Sequence, residues 1–397
     1  MPWRDRLAGR DFTCNDQRWY EVSLNVASGL GEAVAVMGRR GRVLRVAALI
    51  LLVYGLPITV LSSPSSSAGL TPSSAALPVS AGTLSPNASR ALAAAPAGPD
   101  PVSSPSPAAV PDTPPPLPVS PFTGLPTDLS APVLGVKIDN AAVARPQRGL
   151  EQADVVYVEP VEGGLSRLLA VYQSQVPPVV GPVRSTRESD VELLANFGRP
   201  ALAFSGAAPS VGALVARAPV LDVSALTRPG DYRRDSRRQM PHNLYGDANL
   251  LRQGGAPPRD IGFRFGPTPP GGRPVQQTDV SYPATTIGVE WVAADGRWVI
   301  FMDGSPLTSA SGPRPSAATV VLQRVAVRDA GVRDAAGSPS PFAATVGSGD
   351  AVVLRDGQAF SGRWSRPSPD AVTSYTLPDG SALTFAPGPV WVVLVPT

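Results

Sequence analysis

An α+β architecture follows from three features of this 397-residue sequence. One globular segment alternates strand-like and helix-like runs, a later one strings period-two runs between Asp-Gly pairs, and a Pro/Ala/Ser-rich stretch precedes both. The expected order is a membrane or signal helix, a disordered linker, a mixed α/β N-terminal domain and a β-rich C-terminal domain. Boundaries are expected at 43–61 for the helix, 62–118 for the linker, 119–255 for the first domain, 256–279 for a second linker and 280–397 for the β domain.

The apolar run VAALILLVYGLPITVL at 46–61 directly follows Arg39, Arg40, Arg42 and Arg45. A basic flank, an apolar stretch and then Ser and Ala mark a secretory signal or a short membrane anchor. The run is shorter than the roughly 20 residues that span a bilayer comfortably, and Pro57 lies inside it, so cleaved signal and retained anchor are both open. Residues 1–42 are expected to be a cytoplasmic tail or to precede a true start at Met37, whose MGRRGR forms an ordinary positive leader. Because the basic flank stays inside, the chain beyond about Ser62 is expected outside the cytoplasm. Its linker is too poor in large apolar side chains to offset the entropy of ordering it, and its prolines favour extended conformations.

Composition removes several function classes. The formal charge is +3 and the 34 basic residues face 31 acidic ones, with no basic stripe interleaved with aromatics, so nucleic acid is not an expected partner. Cys14 is the only cysteine and His242 the only histidine, which excludes an internal disulfide and a Cys/His zinc set; no metal or other cofactor is expected. All but one of the basic residues are arginine, and Lys137 is the exception. A chain that has replaced lysine almost everywhere keeps this one in a polar cluster.

In APVLGVKIDN, Leu134, Val136 and Ile138 point to one face of a strand while Gly135, Lys137 and Asp139 point to the other. ADVVYVEP at 153–160 and SRLLAVYQS at 166–174 read as two more strands joined by a VEGG turn, a hairpin with Glu159 and Glu162 near its tip. STRESDVELLANFG predicts a helix capped at Ser185 or Thr186 and stopped by Gly198. ALAFSG is a short strand, PSVGALVARA a helix with Pro209 at its start, and DANLLRQ a short helix after the histidine. Farther on, Asp295-Gly296, Asp303-Gly304, Asp356-Gly357 and Asp379-Gly380 each separate strand-like runs, a strong short-range hairpin signal.

Unusual polar residues collect at strand ends and turns of the first domain: Lys137, Asp139, Asn140, Arg145, Glu159, Glu162, Arg167, Arg184, Arg187, Asp190, His242 and Asn243. Arg184 and Arg187 near a helix start suit a carboxylate or phosphate, since a guanidinium fork matches either in a bidentate way. Pairing with Glu159, Glu162 or Asp190 is the competing account. His242 is expected either to brace its loop or to act as a general base oriented by Glu159 or Asp139. No Gly-x-Ser-x-Gly elbow, Walker loop or His-Glu-x-x-His motif names a reaction, and Ser205 in SGAAPS is only a weak nucleophile candidate.

FTGLP, VKIDN, ARPQRGLEQADVVYVEPVEGGLSRLLAVYQSQ, VGPVRSTRESD, FSG and PHNLY, in that order, resemble the YerB-like bacterial envelope lipoproteins, domain of unknown function 3048. VVLRDGQAFSGRWSR and LPDGSALTFAPGPVWVVLVP resemble that family's second, β-rich domain. The resemblance implies export and membrane attachment and supplies no reaction. It departs at the anchor, because no cysteine follows the apolar run to be acylated. The leading expectation is a membrane-tethered extracytoplasmic protein binding a polar or anionic envelope ligand, or an envelope protein, through its first domain. A cell-wall hydrolase or transferase using His242 with an acidic partner is the alternative, and a structural scaffold the third reading.

Overall fold

The computed structural model describes residues 117–334 and 337–397 in full and the backbone of Glu21–Asn25. The apolar run at 46–61 and the linker lie outside these residues. Among the described residues no helix is long and apolar enough to cross a membrane.

Strand dominates, and the largest sheet mixes parallel and antiparallel pairings. The first globular segment supplies β1 (Leu134–Asp139), β2 (Val155–Pro160), β3 (Ser166–Tyr172) and β4 (Ala201–Ala203), together with helices α1 (Glu188–Leu194) and α2 (Pro209–Val215). The second supplies β5 (Thr319–Val325), β6 (Gly347–Arg355), β7 (Gln358–Arg366) and β8 (Val390–Pro396). All eight strands belong to one sheet in the order β7-β6-β5-β8-β2-β3-β1-β4. The seam is β8, which runs parallel to β5 on one side and to β2 on the other. Its sequence VWVVLVP is buried at every position, the pattern of a strand covered on both faces.

A smaller sheet covers one face of the large one. Gln277–Tyr282, Thr285–Val292 and Arg297–Met302 form an antiparallel meander, with Glu21–Asn25 paired along its edge. Between the sheets Trp298, Ile300 and Val280 pack with Val156, Val158, Leu168 and Trp391. On the opposite face α1 and neighbouring loops close a second core in which Leu193, Leu194 and Phe197 meet Tyr157, Leu169 and Val171. Burial of this order, at about 25 cal/mol per Å² of apolar area, is the main favourable term for the fold.

All four Asp-Gly pairs connect antiparallel segments. Asp356 and Gly357 have φ of 51° and 68° between β6 and β7, the left-handed pair that a two-residue hairpin requires. The hairpin β2–β3 forms as expected, and Gly163 and Gly164 at its tip take φ of 68° and 70°, open to glycine at little cost. One expectation shifts: the helix begins at Glu188 with Arg187 as its cap residue, not Ser185 or Thr186. The reason is Asp190, whose Oδ2 accepts the Arg187 N–H at 2.6 Å and so closes the first turn from inside.

Candidate functional site

Strand pairing assembles the charged cluster. Asp139 on β1 and Glu159 on β2 both stand opposite Arg167 on β3, which lies between them. Lys137, two residues before Asp139, points to the same face, and α1 lies over that face at the end of the sheet where β1 and β4 stop. The hairpin tip adds Glu162, and the chain entering α1 adds Arg184 and Arg187.

The deepest part is a three-membered group without solvent exposure. Lys137 Nζ lies 2.6 Å from Asp190 Oδ1 and 3.0 Å from Glu159 Oε2. Asp190 Oδ2 also accepts the Thr186 hydroxyl at 2.9 Å, whereas Glu159 Oε1 is buried with no hydrogen-bond partner. One ammonium cannot balance two carboxylates in a medium of low polarity, so the group favours one further proton. Burial and then the charge of Asp190 push the Glu159 carboxyl up, to about 8, against the pull of Lys137. Burial opposes ionisation of Asp190 too, but the charge and hydrogen bond of Lys137 outweigh it and hold that carboxyl below its ordinary value.

A second layer is made of arginines and Glu162. Arg187 grips Glu162 with both arms, Nε to Oε1 at 2.5 Å and Nη2 to Oε2 at 2.7 Å. Burial would raise Glu162, yet the hydrogen bonds and charge of Arg187 hold it at about 2. Arg167 donates to the Ser185 carbonyl at 3.2 Å and lies 3.9 Å from Glu162. Burial first, then the nearby Arg187 and Arg184, lower Arg167 to about 10.

The outer layer is Asp139 with Arg184 and His242. Asp139 Oδ2 sits 2.7 Å from His242 Nδ1 and 3.0 Å from Arg184 Nε, while Oδ1 accepts the Ala141 N–H at 3.1 Å. The Arg184 contact is an ion pair off the hydrogen-bonding direction, since that Nε has no hydrogen-bond acceptor. Both partners reach the surface: Arg184 is 20% and His242 22% exposed, against 4% for Asp139. The terminal nitrogens of Arg184 and Nε2 of His242 have no partner among the described residues. This edge therefore holds an oriented guanidinium donor and an oriented imidazole nitrogen facing outward.

Asn140, Arg145 and Asn243 brace the surrounding loops. Asn140 Nδ2 donates to Ser166 Oγ at 2.8 Å and contacts Met302 Sδ at 3.4 Å, and Arg145 pairs with Asp303 at 2.7 Å. Both contacts tie the loop after β1 to the small sheet. Asn243 accepts from Arg234 at 2.7 Å and donates to the Arg238 carbonyl at 3.1 Å, fixing the loop that carries His242. Sequence reasoning passed over Ser185, whose hydroxyl lies 3.4 Å from Ser205 and whose carbonyl receives Arg167 and Arg187. It also passed over Ser340, a buried residue that helps hold Glu162 ionised. Ser185 lies in the VGPVRSTRESD stretch but was read only as a helix cap, and Ser340 lies in no motif, so only the fold exposes these contacts.

The fold and cluster together define a β-rich protein built on one large mixed sheet, with a layered ionic site at one end of that sheet. Residues 122–260 match the N-terminal domain, and residues 278–392 the C-terminal domain, of the protein family of unknown function DUF3048. The chain belongs to that family. A stretch of 93 residues is 47% identical to YerB of Bacillus subtilis (strain 168), a protein named as a lipoprotein, and covers 22% of this chain and 28% of that relative. The match thus spans a little over a quarter of YerB's length. The crystal structure of YerB from Bacillus subtilis superposes with a TM-score of 0.58 at 22% identity, covering 70% of this chain and 97% of that one, which shows a shared fold.

Proposed function

We propose that the chain is a membrane-tethered extracytoplasmic protein that binds a polar or anionic cell-envelope ligand at the Asp139–Arg184–His242 edge. The observation that carries this reading is the single oxygen, Asp139 Oδ2, that holds both Arg184 and His242 while their remaining nitrogens face solvent. A guanidinium fixed in this way loses little freedom when an oxyanion arrives, and the held imidazole can exchange a hydrogen bond with a ligand hydroxyl. The lipoprotein name of YerB and the basic and apolar segment at 39–61 support the location. Attachment here rests on the apolar run instead of an acylated cysteine. A thermal-shift screen against cell-wall fragments and phosphorylated sugars tests the proposal, because a ligand that prefers the native state raises its melting temperature. A shift that disappears in Arg184→Gln is expected; no shift with any envelope component would refute the reading.

The enzymatic reading keeps one specific support, the 2.7 Å contact between His242 and a buried carboxylate. In a cell-wall hydrolase or transferase, Asp139 would orient the ring and Nε2 would take the proton of an attacking hydroxyl or water. Release of product from peptidoglycan fragments that stops in His242→Gln would favour this over binding alone. A scaffold role for an envelope complex is left if neither ligand nor turnover is found.

A further inference from the structure

Beyond the ionic site itself, the same end of the molecule carries exposed apolar side chains beside an excess of positive charge. Val143 and Met240 are 69% and 68% exposed. They sit on two loops tied together by Arg238, which donates to the Ala144 carbonyl at 2.8 Å and the Pro146 carbonyl at 3.0 Å. Leu226, 76% exposed, follows the edge strand Leu221–Asp222, which runs parallel to β4 and so finishes at the same sheet end. The segment from Arg233 to Pro241, which begins at the end of the short strand Tyr232–Arg234, reads RRDSRRQMP, four arginines against one aspartate, and that Asp235 is already engaged by Arg237. Arg233, Arg234 and Arg237 are exposed.

Scattered surface leucines are ordinary and need no partner. Here, however, the two kinds of side chain are interleaved on adjoining loops. A soluble polyanion would engage the arginines and gain nothing from Met240, Val143 and Leu226, while an apolar protein face would bury the arginines at a cost. An anionic bilayer fits both at once, with guanidinium at the phosphate level and short apolar side chains at the acyl boundary. We propose that this sheet end docks on an anionic membrane surface through the Arg233–Pro241 segment, Val143 and Leu226, which turns the Asp139–Arg184–His242 edge toward the lipid headgroups. The docking does not depend on the ligand reading above.

The run at 46–61 is expected to bind vesicles by itself, so the test must be local. In the full chain with Cys14→Ser, an environment-sensitive dye is placed at Met240→Cys or, as the opposite sheet end, at Leu125→Cys. With vesicles containing phosphatidylglycerol the dye at 240 is expected to shift to shorter wavelength and to be quenched by nitroxides on the acyl chains. Vesicles of phosphatidylcholine alone should leave it unchanged. Adding Arg233→Gln and Arg237→Gln should raise the phosphatidylglycerol needed by about 10- to 30-fold, since each basic side chain near such a surface contributes about a factor of five. No response at 240, an equal response to both lipids, or a response at 125 in its place would overturn the proposal.

Discussion

Lys137 and Asp190, 53 positions apart, meet at 2.6 Å with neither side chain exposed to solvent. Glu159 completes the contact from the next-but-one strand, and the three together hold α1 onto the sheet. Their protonation states follow from charge balance, and this makes the group testable by substitution.

Glu159→Gln keeps the shape and the neutral state that the carboxyl favours without the proton uptake that state requires above pH 4.5, so the unfolding free energy from urea titration near neutral pH should equal or exceed that of the unaltered protein. Lys137→Met leaves the buried Asp190 charge uncompensated, and Asp190→Asn removes the carboxylate that accepts from Lys137, Thr186 and the Arg187 N–H, so each should cost about 3–5 kcal/mol. Equal damage from Glu159→Gln and Asp190→Asn would contradict the assignment of the proton.

The pH dependence has a defined sign. Glu159 is held near 8, above the 4.5 of the unfolded chain, so its contribution is complete below pH 4.5 and is lost as pH rises through 8. Glu162 is held near 2, so its contribution is present above pH 4.5 and is lost as pH falls toward 2. Melting temperature should therefore decline as pH rises from 4.5 to 8 in a manner flattened by Glu159→Gln, and as pH falls from 4.5 toward 2 in a manner flattened by Glu162→Gln. Unchanged limbs in these two variants would remove the linkage.

Strand β8 joins the family's N-terminal and C-terminal domains into one sheet, and Trp391 on it is 1% exposed. The described part of the chain should unfold in one transition, with tryptophan fluorescence and far-UV dichroism coinciding. Trp391→Ala should lower stability by about 3–5 kcal/mol. Two resolved transitions would show that the halves fold independently.

Asp139→Asn removes the charge that holds Arg184 and weakens the hold on His242 without altering side-chain volume. Affinity for any ligand found by the thermal screen should fall by about 10- to 100-fold, the range expected for a charged hydrogen-bonding group, while urea stability changes far less. Calorimetric titration of the variant measures this. Unaltered affinity would place the ligand elsewhere.

Local pattern made much of this fold legible. Alternation in VKID put Lys137 and Asp139 on one face, the VEGG turn placed Glu159 and Glu162 at one tip, and the Asp-Gly pairs marked the hairpins. The joining of the two segments was not legible, because β8 pairs in parallel with β2 more than two hundred residues earlier, and a strand buried on both faces carries no period to identify its neighbours. Within the site, residue type alone did not separate Asn140, Arg145 and Asn243, which brace loops, from Arg184 and His242, which face outward. Nor did it show that Arg187 is fully occupied by Glu162. Those distinctions depend on which of several arginines reaches which carboxylate, and that is fixed only by the packing of α1 and the 235–243 loop.

The most direct measurement is a nitrogen-resolved NMR titration of arginine Nε and histidine ring signals with the best envelope fragment from the thermal screen. The predicted result is movement of the Arg184 and His242 signals while Arg187 stays fixed against Glu162, with the movement lost in Asp139→Asn. Saturating ligand that leaves Arg184 and His242 unmoved, or that moves them equally without Asp139, would contradict the account.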